Sequence, residues 1–503
     1  MKKFPKYDMV LFSLLMVLLL MPIVQQATGI FPMTSLKGFF EPTPKPELSF
    51  ESYKTNAYQQ QIEKYTSENF GFREPVIRIY NQYLWSAYRK TYCHFITPGK
   101  KGWLYYTNAV DDYYGHWVLQ KYPTYEAAIA DAESELLVMD SLRKVLKSHD
   151  IDFLVFIAPD KTRIYPEYLP FRESDTTSIQ LADYFDQRLT ELEFPHINMT
   201  NWFVAMRDTA SFALFPKTDS HWRYSAVYGF DSLFRYMNTL EGPDFPTLHI
   251  GRAEAYESGL KEGDEETLNL LFPIRGGGVR YKSDITVEAD STQRKPRVLF
   301  VGDSFIWSLD TYLPIQKLMG NRDVWFYNNT AFVGFDNVML NVKEINRLRH
   351  ILKADYVVFY SAGHQWCEAT YGFATDALKL FEQATEADIA KARLMNDIER
   401  DREWLSQLKV YASQNDVALE DALSGEADNV LENKALYRED IVVDTAILIQ
   451  MRKEEIIKKW RSSPDQMKMF EKKAKDRGLT IEEMIEKDAQ WVVERQIENG
   501  ELF

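Results

Sequence analysis

The chain has 503 residues, of which 45% are apolar, 14% aromatic and 26% charged, a globular composition long enough for two to four domains at roughly 100 to 200 residues each. Its net charge of −15, from 59 basic against 74 acidic residues, and the lack of any long basic run exclude a nucleic-acid groove. Two cysteines, Cys93 and Cys367, exclude a Cys-rich zinc site and leave one long-range disulfide open.

Lys2, Lys3 and Lys6 precede an apolar run from Met9 to Val24, and Ala27-Thr28-Gly29 follows. Residues 1–31 read as a transmembrane anchor that reaches spanning length through Ile30 and Phe31. The lysines favour a cytoplasmic N-terminus, which puts the remainder outside the inner membrane, in the periplasm. A signal peptide cleaved at Ala27-Thr28-Gly29 is the rival reading. Residues 32–47 form a linker in which Glu41-Pro-Thr-Pro-Lys-Pro46 is stiff and holds the next element away from the membrane.

Folded sequence begins at Leu48 and runs to about residue 370. A helical pattern ends at Tyr88, and Gly99-Lys-Lys-Gly-Trp-Leu-Tyr-Tyr106 is a turn entering a strand. Apolar residues recur at helical spacing from Tyr125 to Lys147, and Ile151 to Ala158 is then a short continuous apolar run, a buried strand. Further strands are expected at Val298–Val301, Val324–Tyr327 and Tyr356–Tyr360, with helices near Ser225–Leu240 and Asn337–Leu352. Strands alternating with helices predict an α/β domain with a mostly parallel sheet covered on both faces. Residues 371–503 contain 20 basic and 29 acidic residues, a single proline (Pro464) and long helical patterns at Ala435–Trp460 and Ile481–Ile497. They predict a separate all-helical region in which Trp460 and Trp491 pack helices together.

Two segments carry chemistry. In Lys217-Thr-Asp-Ser-His-Trp222, Asp219 and His221 stand two residues apart and project to one side of an extended chain, so the carboxylate can orient the imidazole. A solvated loop capping the following helix fits the same residues. In Arg297-Val-Leu-Phe-Val-Gly-Asp-Ser-Phe305, a hydrophobic strand ends in Gly-Asp-Ser, which places Ser304 at a strand-to-helix corner. Such corners lie at the carboxyl edge of open α/β sheets, where backbone N–H groups face developing negative charge. An ordinary Asp-containing turn fits this segment too. Together the segments meet the expectation for a Ser304–His221–Asp219 nucleophile, base and orienter.

With these two motifs in this order, and with Gly99-Lys-Lys-Gly-Trp-Leu and Ala158-Pro-Asp-Lys-Thr-Arg-Ile-Tyr-Pro-Glu167 upstream, the sequence resembles the alginate O-acetyltransferase proteins of the AlgX and AlgJ type from about Ser67 to Tyr360. The resemblance implies an SGNH-hydrolase-like three-layer sandwich with Ser304 as nucleophile, His221 as base and Asp219 as its partner, and needs neither metal nor soluble cofactor. It also implies a multi-spanning membrane-bound O-acyltransferase as acyl donor and an exported cell-envelope polysaccharide as acceptor. Relatives tend to carry a Glu-Arg pair after the last strand, where this chain has Ser361-Ala-Gly-His-Gln-Trp366, and AlgX ends in a β-rich sugar-binding module unlike the helical tail. Neither alginate as substrate nor sugar binding by the tail is therefore implied. An esterase using the same triad and a non-catalytic envelope scaffold are the alternatives.

Other positions carry weaker expectations. Tyr327, Asn328 and Asn329 close the strand at Val324–Tyr327, and an asparagine there is the oxyanion donor of SGNH enzymes; a loop-initiating Asn pair is the bland alternative. His364 and Trp366 follow the last strand near the active edge, where His364 either touches substrate or is a solvated loop residue. Asp160 and Lys161 read as a turn with an ion pair, Arg275-Gly-Gly-Gly278 as a turn, and the aromatics from Tyr105 to Tyr114 as core rather than a sugar-stacking surface.

Overall fold

The computed structural model describes residues 6–38, 42–173, 180–241, 245–257, 263–289, 293–432 and 445–498. Lys2, Lys3, Glu41 and the first ten residues of the expected helix at Ala435–Trp460 lie outside them. The chain divides into two compact units, one of residues 1–343 and 356–376, the other of residues 344–355 and 377–503.

In the first unit a helix spans Lys6–Thr28. Its stretch Met9–Thr28 is long and apolar enough to cross a membrane, as an anchor or a signal sequence would be. The segment after it is tied down rather than held away. Arg78 donates to the carbonyls of Thr34 (2.9 Å) and Ser35 (2.8 Å), Asn269 exchanges two hydrogen bonds with the Lys37 backbone, and Thr43 bonds Glu68.

The central sheet contains β1 (Asp152–Ala158), β2 (His196–Asn198), β3 (Arg297–Gly302), β4 (Asn321–Phe326), β5 (Thr330–Val333), β6 (Val338–Asn341) and β7 (Tyr356–Ala362). Their order is β6-β5-β4-β3-β7-β1-β2. The strands from β4 to β2 are parallel, while β5 and β6 add an antiparallel hairpin at one edge. Every residue of β1 and β7 is buried, as continuous apolar runs covered on both faces require.

Alternate residues point to opposite layers. Phe156 and Tyr360 stack at 4.8 Å and meet Phe230 of the helix Ala226–Glu241 on one face. On the other, Phe359 meets Trp366, which packs on Phe185 of the helix Leu181–Glu191 beside the helix Tyr125–Ser148. Tyr125–Ser148 is capped by Thr124 and buries Ala128, Ala132, Leu136, Met139, Leu142 and Leu146 along one stripe. The three-layer α/β sandwich expected from the sequence is therefore present.

Residues 337–352 are not one helix. Gly334 and Asn337 bracket a hairpin turn, Asn337 adopting a left-handed φ of 55°, so that Val338–Asn341 pairs with Thr330–Val333 and only Arg347–Lys353 is helical. A Gly-Phe-Asp-Asn tetrad before an apolar run is a hairpin signal that the helical spacing of Val338, Val342 and Ile345 masked. Both thiols are free, Cys93 lying 3.6 Å from Thr267 Oγ1 and Cys367 buried, so no Cys93–Cys367 disulfide forms.

The second unit is helical among its described residues. Glu386–Arg400, Arg402–Asn415 and Leu419–Leu431 share a core of Met395, Ile398, Leu408 and Leu423; Thr445–Arg461, Pro464–Arg477 and Ile481–Glu498 share Ile456, Phe470, Met484, Ile485 and Val493. Trp460 packs on Phe470 as expected. Trp491 does not pack: it is 58% exposed, because the buried stripe of its helix runs through Met484, Ile485, Ala489 and Val493 and leaves position 491 outside.

Candidate active site

At the carboxyl end of β3 the chain turns sharply. Gly302 lies so close to β7 that a Cβ there would sit 1.8 Å from the Tyr360 carbonyl oxygen, so only glycine fits. Asp303 caps the next turn, accepting N–H bonds from Phe305 (2.9 Å) and Ala362 (2.7 Å), which ties the end of β3 to β7. Burial pushes its carboxyl up, opposed by those two bonds and by the imidazoles of His364 and His221. Ser304 opens a short 3-10 turn and projects its hydroxyl from this corner.

His221 arrives from the segment before the helix Ala226–Glu241. Its Nε2 lies 2.8 Å from Ser304 Oγ and its Nδ1 3.3 Å from Asp219 Oδ1, which also accepts the His221 backbone N–H at 3.0 Å. The three residues singled out in the sequence thus form one hydrogen-bonded chain. Asp219 is 1% exposed; burial opposes its charge, but the bond from His221 and the Arg223 guanidinium paired with Oδ2 hold its carboxyl well below the usual range. Burial likewise disfavours the His221 imidazolium, yet the bond and charge of Asp219, with the charge of Asp264, raise its pKa above the ordinary value.

Three groups not expected at the site, Lys161, Asp264 and Arg223, brace this segment. Lys161 is buried and spends its three N–H donors on the carbonyls of Leu104 (2.7 Å), Asp219 (2.9 Å) and Lys217 (3.0 Å). Burial pushes its ammonium down to about 7, against the charges of Asp264 and Asp219. Asp264 accepts the Ser220 N–H at 2.6 Å, and burial and the Asp219 charge push its carboxyl up. Arg223 reaches Asp219 from a left-handed backbone with φ of 50°.

The remaining walls of the cleft rise from neighbouring strand ends, since Phe326 and Tyr360 flank Gly302 and Ala362 pairs with Ala158. Tyr327 lines it, within hydrogen-bond reach of the Ser304 hydroxyl and backbone N–H, and burial pushes its own hydroxyl far up. Asn328 and Asn329 do not line it. Asn328 spends its amide on the Tyr371 carbonyl and Asp376 (both 3.2 Å), and Asn329 is exposed in the β4–β5 turn, its carbonyl accepting from Val342. The expected asparagine donor is thus displaced, because left-handed φ angles at both Tyr327 and Asn328 turn the tyrosine inward and the amide away.

His364 lines the cleft, but it is buried, not a solvated loop residue. Its Nδ1 lies 2.5 Å from Asp160 Oδ1, and that pairing raises its pKa although burial works against it. Asp160 is therefore the partner of His364, not of Lys161. Beneath them, burial and the Asp160 charge push the buried Asp112 up to about 8. The places of Asp160 after β1 and of His364 after β7 were readable in the sequence; their contact across 204 residues was not. Tyr105 is core, Tyr106 lines the cleft, and Arg275-Gly-Gly-Gly278 is a turn whose Arg275 carbonyl accepts from Lys217.

Residues 96–233 match the family described as SGNH hydrolase-like domain, acetyltransferase AlgX. The match contains the Asp219-x-His221 motif and ends before Ser304. Three solved structures are similar to the chain: the O-acetyltransferase domain of Pseudomonas putida AlgJ, 14% identical, covering 57% of this chain and 99% of that one with a TM-score of 0.37; Pseudomonas aeruginosa AlgX, 12% identical, 56% and 67% covered, TM-score 0.33; and Bacillus cereus PatB1, 13% identical, 55% and 98% covered, TM-score 0.32. No curated protein matches.

The cleft beside Ser304 has a volume of about 70 Å³. Ligand atoms of Asp219, His221 and Asp264 lie within 4.8 Å of one another, but each already has a partner: Oδ1 of Asp219 holds His221, Oδ2 holds Arg223, His221 Nε2 faces Ser304 and Asp264 binds Ser220.

Proposed function

We propose that the AlgX-type domain is a polysaccharide O-acetyltransferase working through an acetyl-serine at Ser304. The observation that supports this reading is the hydrogen-bonded run from Asp219 through His221 to Ser304 in a domain of this family. His221 Nε2 takes the Ser304 proton as Oγ attacks the donor carbonyl, and returns it to the leaving group as the acyl–donor bond breaks. A sugar hydroxyl then attacks the acetyl-serine, its proton passes to His221, and the departing Ser304 Oγ recovers it. Imidazolium formed in each half is stabilised by Asp219, and backbone N–H at Ser304 faces the oxyanion. The small cleft suits the acetyl group, with the acceptor laid across its mouth. The donor is a multi-spanning membrane acyltransferase, and the domain acts on the periplasmic face of the inner membrane, anchored by Met9–Thr28.

Full-length protein in detergent, given a chromogenic acetyl ester, is expected to gain one acetyl group by intact mass. Ser304→Ala should lose the adduct and at least about a thousandfold in turnover. Equal rates and no adduct in either protein would exclude Ser304 as nucleophile. Acetyl-enzyme mixed with envelope polysaccharide should acetylate it faster than it hydrolyses; the reverse ranking makes the enzyme an esterase.

A further inference from the structure

The helix Arg73–Tyr88 has two apolar faces. One is used within the domain: Trp85 is buried, Asn81 Nδ2 donates to the Leu268 carbonyl at 2.9 Å, and Gln82 accepts the Phe272 N–H at 3.0 Å. The other faces outward. Val76, Ile79, Tyr80 and Tyr83 are 53%, 57%, 46% and 54% exposed, and their spacing of three, four and seven is that of a single stripe on a helix. Scattered exposed apolar residues need no partner, but a continuous stripe does.

The fold fixes where this stripe lies. Met9–Thr28 is about 30 Å long at 1.5 Å per residue, the thickness of the hydrocarbon core, so Thr28 reaches its outer edge and Pro22 lies about 9 Å below that edge, the depth to which the apolar face of an interfacial helix sinks. Gly71 packs directly on that end: a Cβ there would sit 2.0 Å from the Pro22 carbonyl oxygen and 2.9 Å from the Gln26 nitrogen. Phe72 packs on Phe31, and the helix begins at the next residue. Arg78 on the same helix grips Thr34 and Ser35, so no slack separates helix from anchor. At the far end Lys90 is exposed, as headgroup phosphates would favour, while Arg89 stacks on Trp85 at 5.6 Å.

We propose that Arg73–Tyr88 lies along the lipid–water interface of the bilayer spanned by Met9–Thr28, with Val76, Ile79, Tyr80 and Tyr83 set into it. Tyrosines suit that depth, having an apolar ring and a polar tip. This rests on the reading of the N-terminal helix as an uncleaved anchor. The contact would hold the domain against the membrane instead of swinging it on a stalk.

The test uses full-length protein with Cys93→Ser and Cys367→Ala, carrying a fluorophore on Ile79→Cys, Val17→Cys or Leu137→Cys. Each is reconstituted in phosphatidylethanolamine–phosphatidylglycerol vesicles containing nitroxide-labelled lipid, with acetyl-ester turnover certifying the fold. Quenching at positions 17 and 79 several-fold above that at 137 is expected. Quenching at 17 with position 79 equal to 137 overturns the proposal while keeping the anchor, and leaves the stripe to a protein partner. Failure of quenching at 17 overturns the anchor and the proposal together.

Discussion

His221, read as the base, sits among three charges that pull its protonation in different directions. Asp219 and Asp264 favour the imidazolium, while Arg223 opposes it. A base must be unprotonated to accept the Ser304 proton, so kcat/KM should fall as pH drops through the raised His221 pKa, giving an acid limb above the ordinary histidine value of 6.5. Asp264→Asn removes one of the raising charges but keeps an acceptor for the Ser220 N–H, and it is expected to move that limb to lower pH. An unchanged limb would mean that Asp264 exerts no field at His221. Asp219 and His221 were legible in the sequence because their offset of two is local chemistry. Asp264 was not, since it meets Ser220 across 44 residues. Arg223, only four residues from Asp219, reaches it through a left-handed backbone that no pattern announces.

The elements meet the site at the carboxyl ends of four adjacent parallel strands. β3 carries Ser304, β4 ends at Tyr327, β7 leads to His364 and β1 leads to Asp160 and Lys161. Their convergence depends on how closely β3 and β7 approach. Gly302→Ala should force those strands apart, because its Cβ would fall on the Tyr360 backbone rather than on a movable side chain. The expected cost is about 3 kcal/mol, read as a lower urea midpoint, with loss of ester turnover before global unfolding. A wild-type midpoint would show that the corner tolerates a side chain. The strands were visible as apolar runs. The β5–β6 hairpin was not, because its second strand runs on into Val342 and Ile345, which with Val338 fall at helical spacing.

In the whole molecule, the helical unit borrows a piece of chain from inside the α/β domain. Residues 344–355, between β6 and β7 in sequence, pack with residues 377–503. Buried Arg349 binds Glu399 and Glu420, and its carbonyl accepts from Asn396 at 3.0 Å. Arg349→Ala should cost about 2 kcal/mol, below the range for fully buried pairs because both glutamates keep contact with water. Thermal melting would read it, with ester turnover at low temperature unchanged; an unaltered melting point would show the network to be dispensable. A composition shift was enough to expect a separate helical region, yet the loan of residues 344–355 was invisible because it is a long-range packing choice. By itself the sequence determined the apolar N-terminal helix, the α/β class and the Asp219, His221 and Ser304 trio, all of which rest on local spacing, burial periodicity and turn chemistry. Only the tertiary structure decided that Asn328 turns away, that Asp160 pairs with His364, that Lys161 braces the Asp-x-His segment and that an apolar stripe sits beside the anchor. Those depend on which strand ends and side chains become neighbours, a property of packing between residues far apart in the chain.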